Sequence, residues 1–135
     1  MAEPFLDTNV ILRHLRNDHP EMSPRATALL GRVERGELRV RISDLVIFEA
    51  VFTLQRSYGV PRHMIAEALL PLIELTGVVL PGKRVYRDVF GLYAAGPIGF
   101  ADSYHVVLMR RMATNQVISF DSEFDRVPGI ERFAP

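Results

Sequence analysis

The sequence predicts an α/β domain with a mainly parallel central sheet flanked by helices on both faces. Three observations carry this. Short apolar stretches alternate with longer helical ones, and capping or helix-stopping residues fall between them. The third is size: 135 residues, 48% of them apolar, suit one compact core over 1–135. No repeat, low-complexity tract or linker interrupts the pattern.

Phe5-Leu6 is a short strand that ends at Asp7, and Val10, Ile11 and Leu12 fall in a helix over 8–16. Ser23-Pro24 is a helix start, a capping hydroxyl followed by proline at the first helical position; that helix runs to about 34 and stops near Gly36. Residues 38–42 alternate apolar side chains with arginine, the pattern of a half-buried strand. Ser43 or Asp44 caps a helix that reaches 58, and Gly59 closes it. Pro61 opens the next helix, to about 75, which Pro71 should kink or split. Residues 78–80 are a fully apolar strand, and 83–95 are helical up to Gly96-Pro97. A last helix covers about 101–113, a strand 116–120, and an edge strand 130–133 in an otherwise irregular tail.

Composition excludes several chemistries. There is no cysteine, hence no disulfide, thiol catalysis or Cys-ligated zinc, which fits a reducing cytoplasm. The formal net charge of +0 argues neither for nor against nucleic acid, because a local basic patch can coexist with a neutral total. Lys83 is the single lysine among 16 basic residues, which reads as coding bias ahead of phosphate contact. The start, Met1-Ala2-Glu3-Pro4, lacks the basic and apolar stretches of a signal peptide, and no apolar run approaches the ~20 residues of a membrane span. A cytoplasmic protein without a membrane partner is expected.

Four carboxylates carry the functional signal. In open α/β sheets ligands gather at the C-terminal ends of the strands, where Asp7 and Asp121 fall. A helix cap would also explain Asp7, and a turn would explain Asp121. Glu49 is embedded among Leu45, Val46, Ile47, Phe48, Ala50, Val51, Phe52 and Leu54, which predicts a buried helix. A buried carboxylate there needs an arginine, hydrogen bonds or a metal; the competing reading is a narrow exposed stripe. Asp102 follows the glycine-containing loop 96–99 and opens a helix, where the helix dipole alone would favour an acid. Converging acids repel, so one site holding all four needs a cation, and oxygen-only ligands favour Mg2+ or Mn2+ over zinc. Asp7 and Asp102 are expected to be the main ligands of one ion, with Glu49 and Asp121 near a second, in a centre that activates water against a phosphodiester.

Other residues read as structural. His14, His19, His63 and His105 have no metal-ligand spacing. Arg13, Arg16, Arg110 and Arg111 read as surface or helix-terminal charges. Tyr86, Phe90 and Tyr93, spaced by four and three, form a core or dimer face rather than a base-stacking platform.

The segments Phe5-Leu6-Asp7-Thr8-Asn9-Val10, Glu49 in its apolar helix, Gly99-Phe100-Ala101-Asp102-Ser103 and Ser119-Phe120-Asp121-Ser122-Glu123-Phe124-Asp125 occur in that order, and the run continues into Arg126-Val127-Pro128-Gly129-Ile130. As an ordered set covering essentially the whole chain they resemble the PIN domain family, and within it the VapC-type toxins of toxin–antitoxin pairs. The resemblance implies a magnesium-dependent endoribonuclease with Asp7, Glu49, Asp102 and Asp121 as its acids. Its substrate would be tRNA, rRNA or mRNA. It further implies a homodimer and inhibition by a cognate antitoxin. Thr8, Asn9 and Ser119 become candidates beside metal or substrate, and Asp125 competes with Asp121 for the fourth acidic position. A haloacid dehalogenase-type phosphatase would need an aspartate where Asn9 stands, and a receiver-like domain would need paired early acids and a late lysine. DNA and flap nucleases, which use the same residues, are usually longer. The remaining alternative is a non-catalytic PIN-like binding module.

Overall fold

The computed structural model describes residues 3–135; Met1 and Ala2 lie outside the described residues. The chain forms two compact units, one through Lys83 and the other over Arg84–Pro135. Helices and short parallel strands alternate in both, the α/β order that the sequence predicts.

The first unit contains α1 (Thr8–Arg16), α2 (Met22–Glu34), β1 (Val40–Arg41), α3 (Asp44–Arg56), α4 (Arg62–Ile73) and β2 (Val78–Val79). β1 pairs in parallel with β2, Val40 opposite Val78 and Arg41 opposite Val79. The expected strand at Phe5-Leu6 is a single parallel bridge to Arg41, held by Leu6 N–H to the Arg41 carbonyl (2.8 Å) and Arg41 N–H to the Pro4 carbonyl (2.8 Å). Leu6, Val40, Ile42 and Val78 are buried along these segments. Gly77 enters β2 where only hydrogen fits: a Cβ would stand 2.9 Å from the Val33 carbonyl oxygen and 3.0 Å from that of Leu38.

Local chemistry explains where three helices start or continue. α2 begins one residue before Ser23, because its leading amides are capped by a side chain further upstream. His19 Nδ1 accepts from Met22 N–H (2.9 Å) and Glu21 N–H (3.2 Å), while the buried Ser23 hydroxyl oxygen accepts from His19 N–H (3.1 Å). α3 starts as expected, with Ser43 Oγ accepting from Val46 N–H at 3.3 Å. α4 continues through Pro71, which falls in its last turn and removes one helical bond, the one to the Glu67 carbonyl, without ending the helix there.

The second unit contains α5 (Val85–Ala95), α6 (Phe100–Arg111), β3 (Gln116–Ile118), a 3-10 turn (Ser122–Arg126) and β4 (Glu131–Phe133). Tyr86, Phe90 and Tyr93 are fully buried, on the core side of the alternative the sequence left open. Phe100, from α6, meets Phe90 at 5.0 Å and Tyr93 edge-on at 5.3 Å between ring centroids. Each such ring removed from water contributes about 1.5–3 kcal/mol before entropy is counted. A second cluster, Ile98, Val106, Phe124 and Val127, seats the 3-10 turn. β3 and β4 are parallel, Gln116 opposite Glu131 and Ile118 opposite Phe133. No described helix is long and apolar enough to cross a membrane.

Candidate metal centre

In the second unit, α6 and the 3-10 turn bring three acids together. Gly99 leads into α6, and Ser103, fully buried, donates its hydroxyl back to the Gly99 carbonyl at 2.8 Å. That fixes the first helical turn, which carries Asp102. The other arm follows β3. Ser119 Oγ accepts from Asp121 N–H (2.9 Å), and the Asp121 carboxylate accepts from Glu123 N–H (2.9 Å), so this aspartate caps the turn. One carboxylate oxygen each from Asp102, Asp121 and Glu123 can be chosen so that all three lie within 4.8 Å of one another.

This closeness has an electrostatic cost. The Asp102 carboxyl is held above the usual aspartate range, first by burial, then by its hydrogen bond to Asp121 and the negative charge there, with Glu123 adding to the effect and His105 opposing it. Converging carboxyls repel, and the donor set fits a hard divalent cation: three carboxylate oxygens that can lie within 4.8 Å of one another suit Mg2+ or Mn2+. An open groove of about 760 Å3 runs from Asp102 and Asp121 past Ser119 to Met112 and Ile118.

A guanidinium braces the acidic turn. Arg132 of β4 grips both oxygens of Asp125, Nε to Oδ1 and Nη2 to Oδ2, each at 3.0 Å, and its Nη1 donates to the Ser119 carbonyl at 3.1 Å. The pairing holds the Asp125 carboxyl below its ordinary range. Of the two aspartates that compete for the fourth position in the sequence, Asp121 therefore stands in the acid cluster, and Asp125 is committed to Arg132.

The remaining candidates belong to the first unit. Asp7 is exposed and caps α1, its Oδ1 accepting from Thr8 N–H at 2.9 Å. The Thr8 hydroxyl is buried and has no hydrogen-bond partner among the described residues. Asn9 lines a groove of about 590 Å3 with Val10, Arg13, Met22 and Arg25. Glu49 corrects the sequence reading: it is exposed, on a stripe of α3 with Leu45, Phe52 and Arg56. The apolar neighbours do divide as an amphipathic helix does: Val46, Ile47, Ala50, Val51 and Leu54 are buried, while Leu45, at 66% exposure, and Phe52 share the solvent side with Glu49.

Sequence reasoning missed two residues here. Glu123 is marked only by its place two residues after a strand-end aspartate, where Asp121 takes its amide. Arg132 sits in a strand of three residues, and nothing local links it to Asp125.

No curated protein matches the chain. The family model of the PIN domain does, over residues 5–130, a span that contains Asp7, Glu49, Asp102 and Asp121. Proteins of this family are typically nucleases dependent on a divalent metal, and the acid cluster is a donor set of that kind. On a match that covers nearly all of its length, the chain belongs to the PIN domain family.

Proposed function

We propose that this protein is a magnesium-dependent endoribonuclease of the VapC type, the toxin of a toxin–antitoxin pair. In this reading Asp7, Glu49, Asp102 and Asp121 form its catalytic set. The observation that supports it most is the convergence of Asp102, Asp121 and Glu123, with the Asp102 carboxyl raised by burial and then by Asp121, in a chain of this family.

In this reading Asp102 and Asp121, with Asp7, would hold the ion, and Glu123 would complete the shell directly or through water. Mg2+ (or Mn2+ in its place) would supply the orientation and activation of water and offset the charge that develops on phosphorus. The chain would supply the rest. Ser119 and Arg132 fix the turn that aims Asp121. A carboxylate left outside the ion's shell, with Glu49 assigned this part, takes the proton of the attacking water. The Thr8 hydroxyl and Asn9 stand beside Asp7 in sequence and serve substrate or acid. The protein partners in this reading are a cognate antitoxin and a second copy of the chain.

The test is cleavage of tRNA, rRNA and mRNA by purified protein in Mg2+ and in EDTA, beside Asp7→Asn. Cleavage that needs Mg2+ and is lost in Asp7→Asn is the expected result. Full activity in EDTA, or in Asp7→Asn, overturns the mechanism. RNA binding without cleavage would instead make the protein a non-catalytic binding module.

A further inference from the structure

Phe120 is 81% exposed, the most exposed large apolar side chain of the described chain. It lies between Ser119 and Asp121, both of which line the groove that contains Asp102, while Phe120 itself stands outside that lining. β3 stops at Ile118, short of the expected 120, so Phe120 stands outside the ladder with no strand partner. Its backbone is nevertheless fixed on both sides. Ser119 N–H donates to the Phe133 carbonyl at 3.0 Å, Arg132 holds the Ser119 carbonyl, and Asp121 N–H is tied to Ser119 Oγ. A rigid turn thus presents an aromatic face to solvent with its Cα ~3.8 Å from that of a proposed metal-binding acid.

The groove's chemistry narrows what this face meets. Its lining carries two aspartates and no lysine or arginine, so it does not attract a phosphate backbone by basic side chains. A nucleotide whose phosphate is drawn to an ion at Asp102 and Asp121 places its ribose and base within a few ångströms of the neighbouring residue. Stacking on an aromatic ring is then the interaction available to the base, and it is tolerant of sequence. We infer that Phe120 is a substrate-positioning residue, stacking an unpaired base of single-stranded RNA next to the scissile phosphate. The inference rests on the nuclease reading above.

The chain has no tryptophan, so Phe120→Trp creates a single-indole reporter that needs no turnover. Titration with a short oligoadenylate in the presence of Mn2+ should quench its fluorescence, and an abasic oligoribonucleotide of equal length should not. In cleavage assays Phe120→Ala should raise KM about 5- to 150-fold with kcat little changed, the range expected for one lost stack, and Phe120→Tyr should restore it. Equal quenching by the abasic strand, no quenching at saturating oligoadenylate, or a wild-type KM in Phe120→Ala overturns the inference while leaving the nuclease intact. A change of oligomeric state in Phe120→Ala also overturns it, because the ring would then serve a protein interface. Base-dependent quenching in a protein that cuts no RNA would retain the stacking face and discard the nuclease reading instead.

Discussion

Asp102 is the residue on which the electrostatics of the acid cluster turn. Its carboxyl is raised by burial and by Asp121, a like-charge repulsion that a bound cation would relieve. Mg2+ or Mn2+ should therefore raise Tm: at a hundredfold excess over Kd a bound ion adds ~2.7 kcal/mol, roughly 10 °C for a chain this size. Asp102→Asn should abolish that rise while leaving the metal-free Tm equal or higher, as differential scanning fluorimetry would read. Glu123→Gln should reduce the rise as well; an unchanged rise would remove Glu123 from the set. Arg132 acts on the same turn at one remove. Lysine cannot reproduce its two parallel bonds to Asp125 and the third to the Ser119 carbonyl. Arg132→Lys should accordingly weaken metal affinity by several-fold, a shift measurable by isothermal titration, with the fold kept. These two residues also mark where sequence reading ends. Asp102 is legible because a glycine-containing loop delivers an acid to a helix start. Arg132 is not, because its partners lie 7 and 13 residues away and only the parallel pairing of β4 with β3 brings them together. The burial expected of Glu49 fails for another reason: five of its apolar neighbours are buried, but Glu49 lies on the opposite stripe with Leu45 and Phe52, and a locally apolar composition does not show which face a residue takes.

At the scale of elements, the helices were the readable part. Proline, glycine and serine punctuate the chain, and the helix over 8–16 and the start of α3 at Asp44 fall where those residues put them. Strands were less readable, because two- and three-residue ladders depend on partners that sequence does not name. Gly77 shows how tightly one of these segments is seated. Gly77→Ala pushes a methyl against two carbonyl oxygens, and relieving that overlap should cost about 1–3 kcal/mol, seen as a lower midpoint in urea with unchanged m. The α1–α2 contact carries a pH dependence. His14 of α1 meets Thr27 Oγ1 of α2 at 2.8 Å, and burial lowers its pKa, with Glu34 opposing. A histidine depressed in the folded state contributes stability that is complete above its unfolded pKa of ~6.5 and is lost as pH falls through the lower folded value. His14→Asn should flatten the fall of Tm between pH 7 and 5; an identical slope in the variant would assign the acid sensitivity elsewhere.

For the whole molecule, charge bears on how the proposed RNA substrate would be held. The 16 basic and 16 acidic residues cancel, and much of the arginine is engaged locally. Arg13 pairs with Asp18, Arg35 with Glu37, Arg39 and Arg41 with Glu3, Arg111 with Asp88 and Arg132 with Asp125, while Arg16 lies over the Tyr58 ring at 4.4 Å. With a net charge of zero, long-range steering of a polyanion is expected to be weak, and three clustered acids repel one. RNA binding should therefore depend on the divalent ion more than on monovalent salt. Each phosphate neutralised by a basic side chain contributes ~0.7 to the slope of log K against log salt for a single strand. Two or three such contacts predict a slope no steeper than about −2. The measurement is fluorescence anisotropy of a labelled single-stranded RNA between 50 and 300 mM KCl (about a sixfold range), at fixed Mn2+ and again in EDTA, read before turnover sets in. A shallow slope in Mn2+ and at least a tenfold loss of affinity in EDTA are expected. A slope steeper than about −4, or affinity indifferent to EDTA, would mean that arginines gather into a basic track and hold the RNA without the ion.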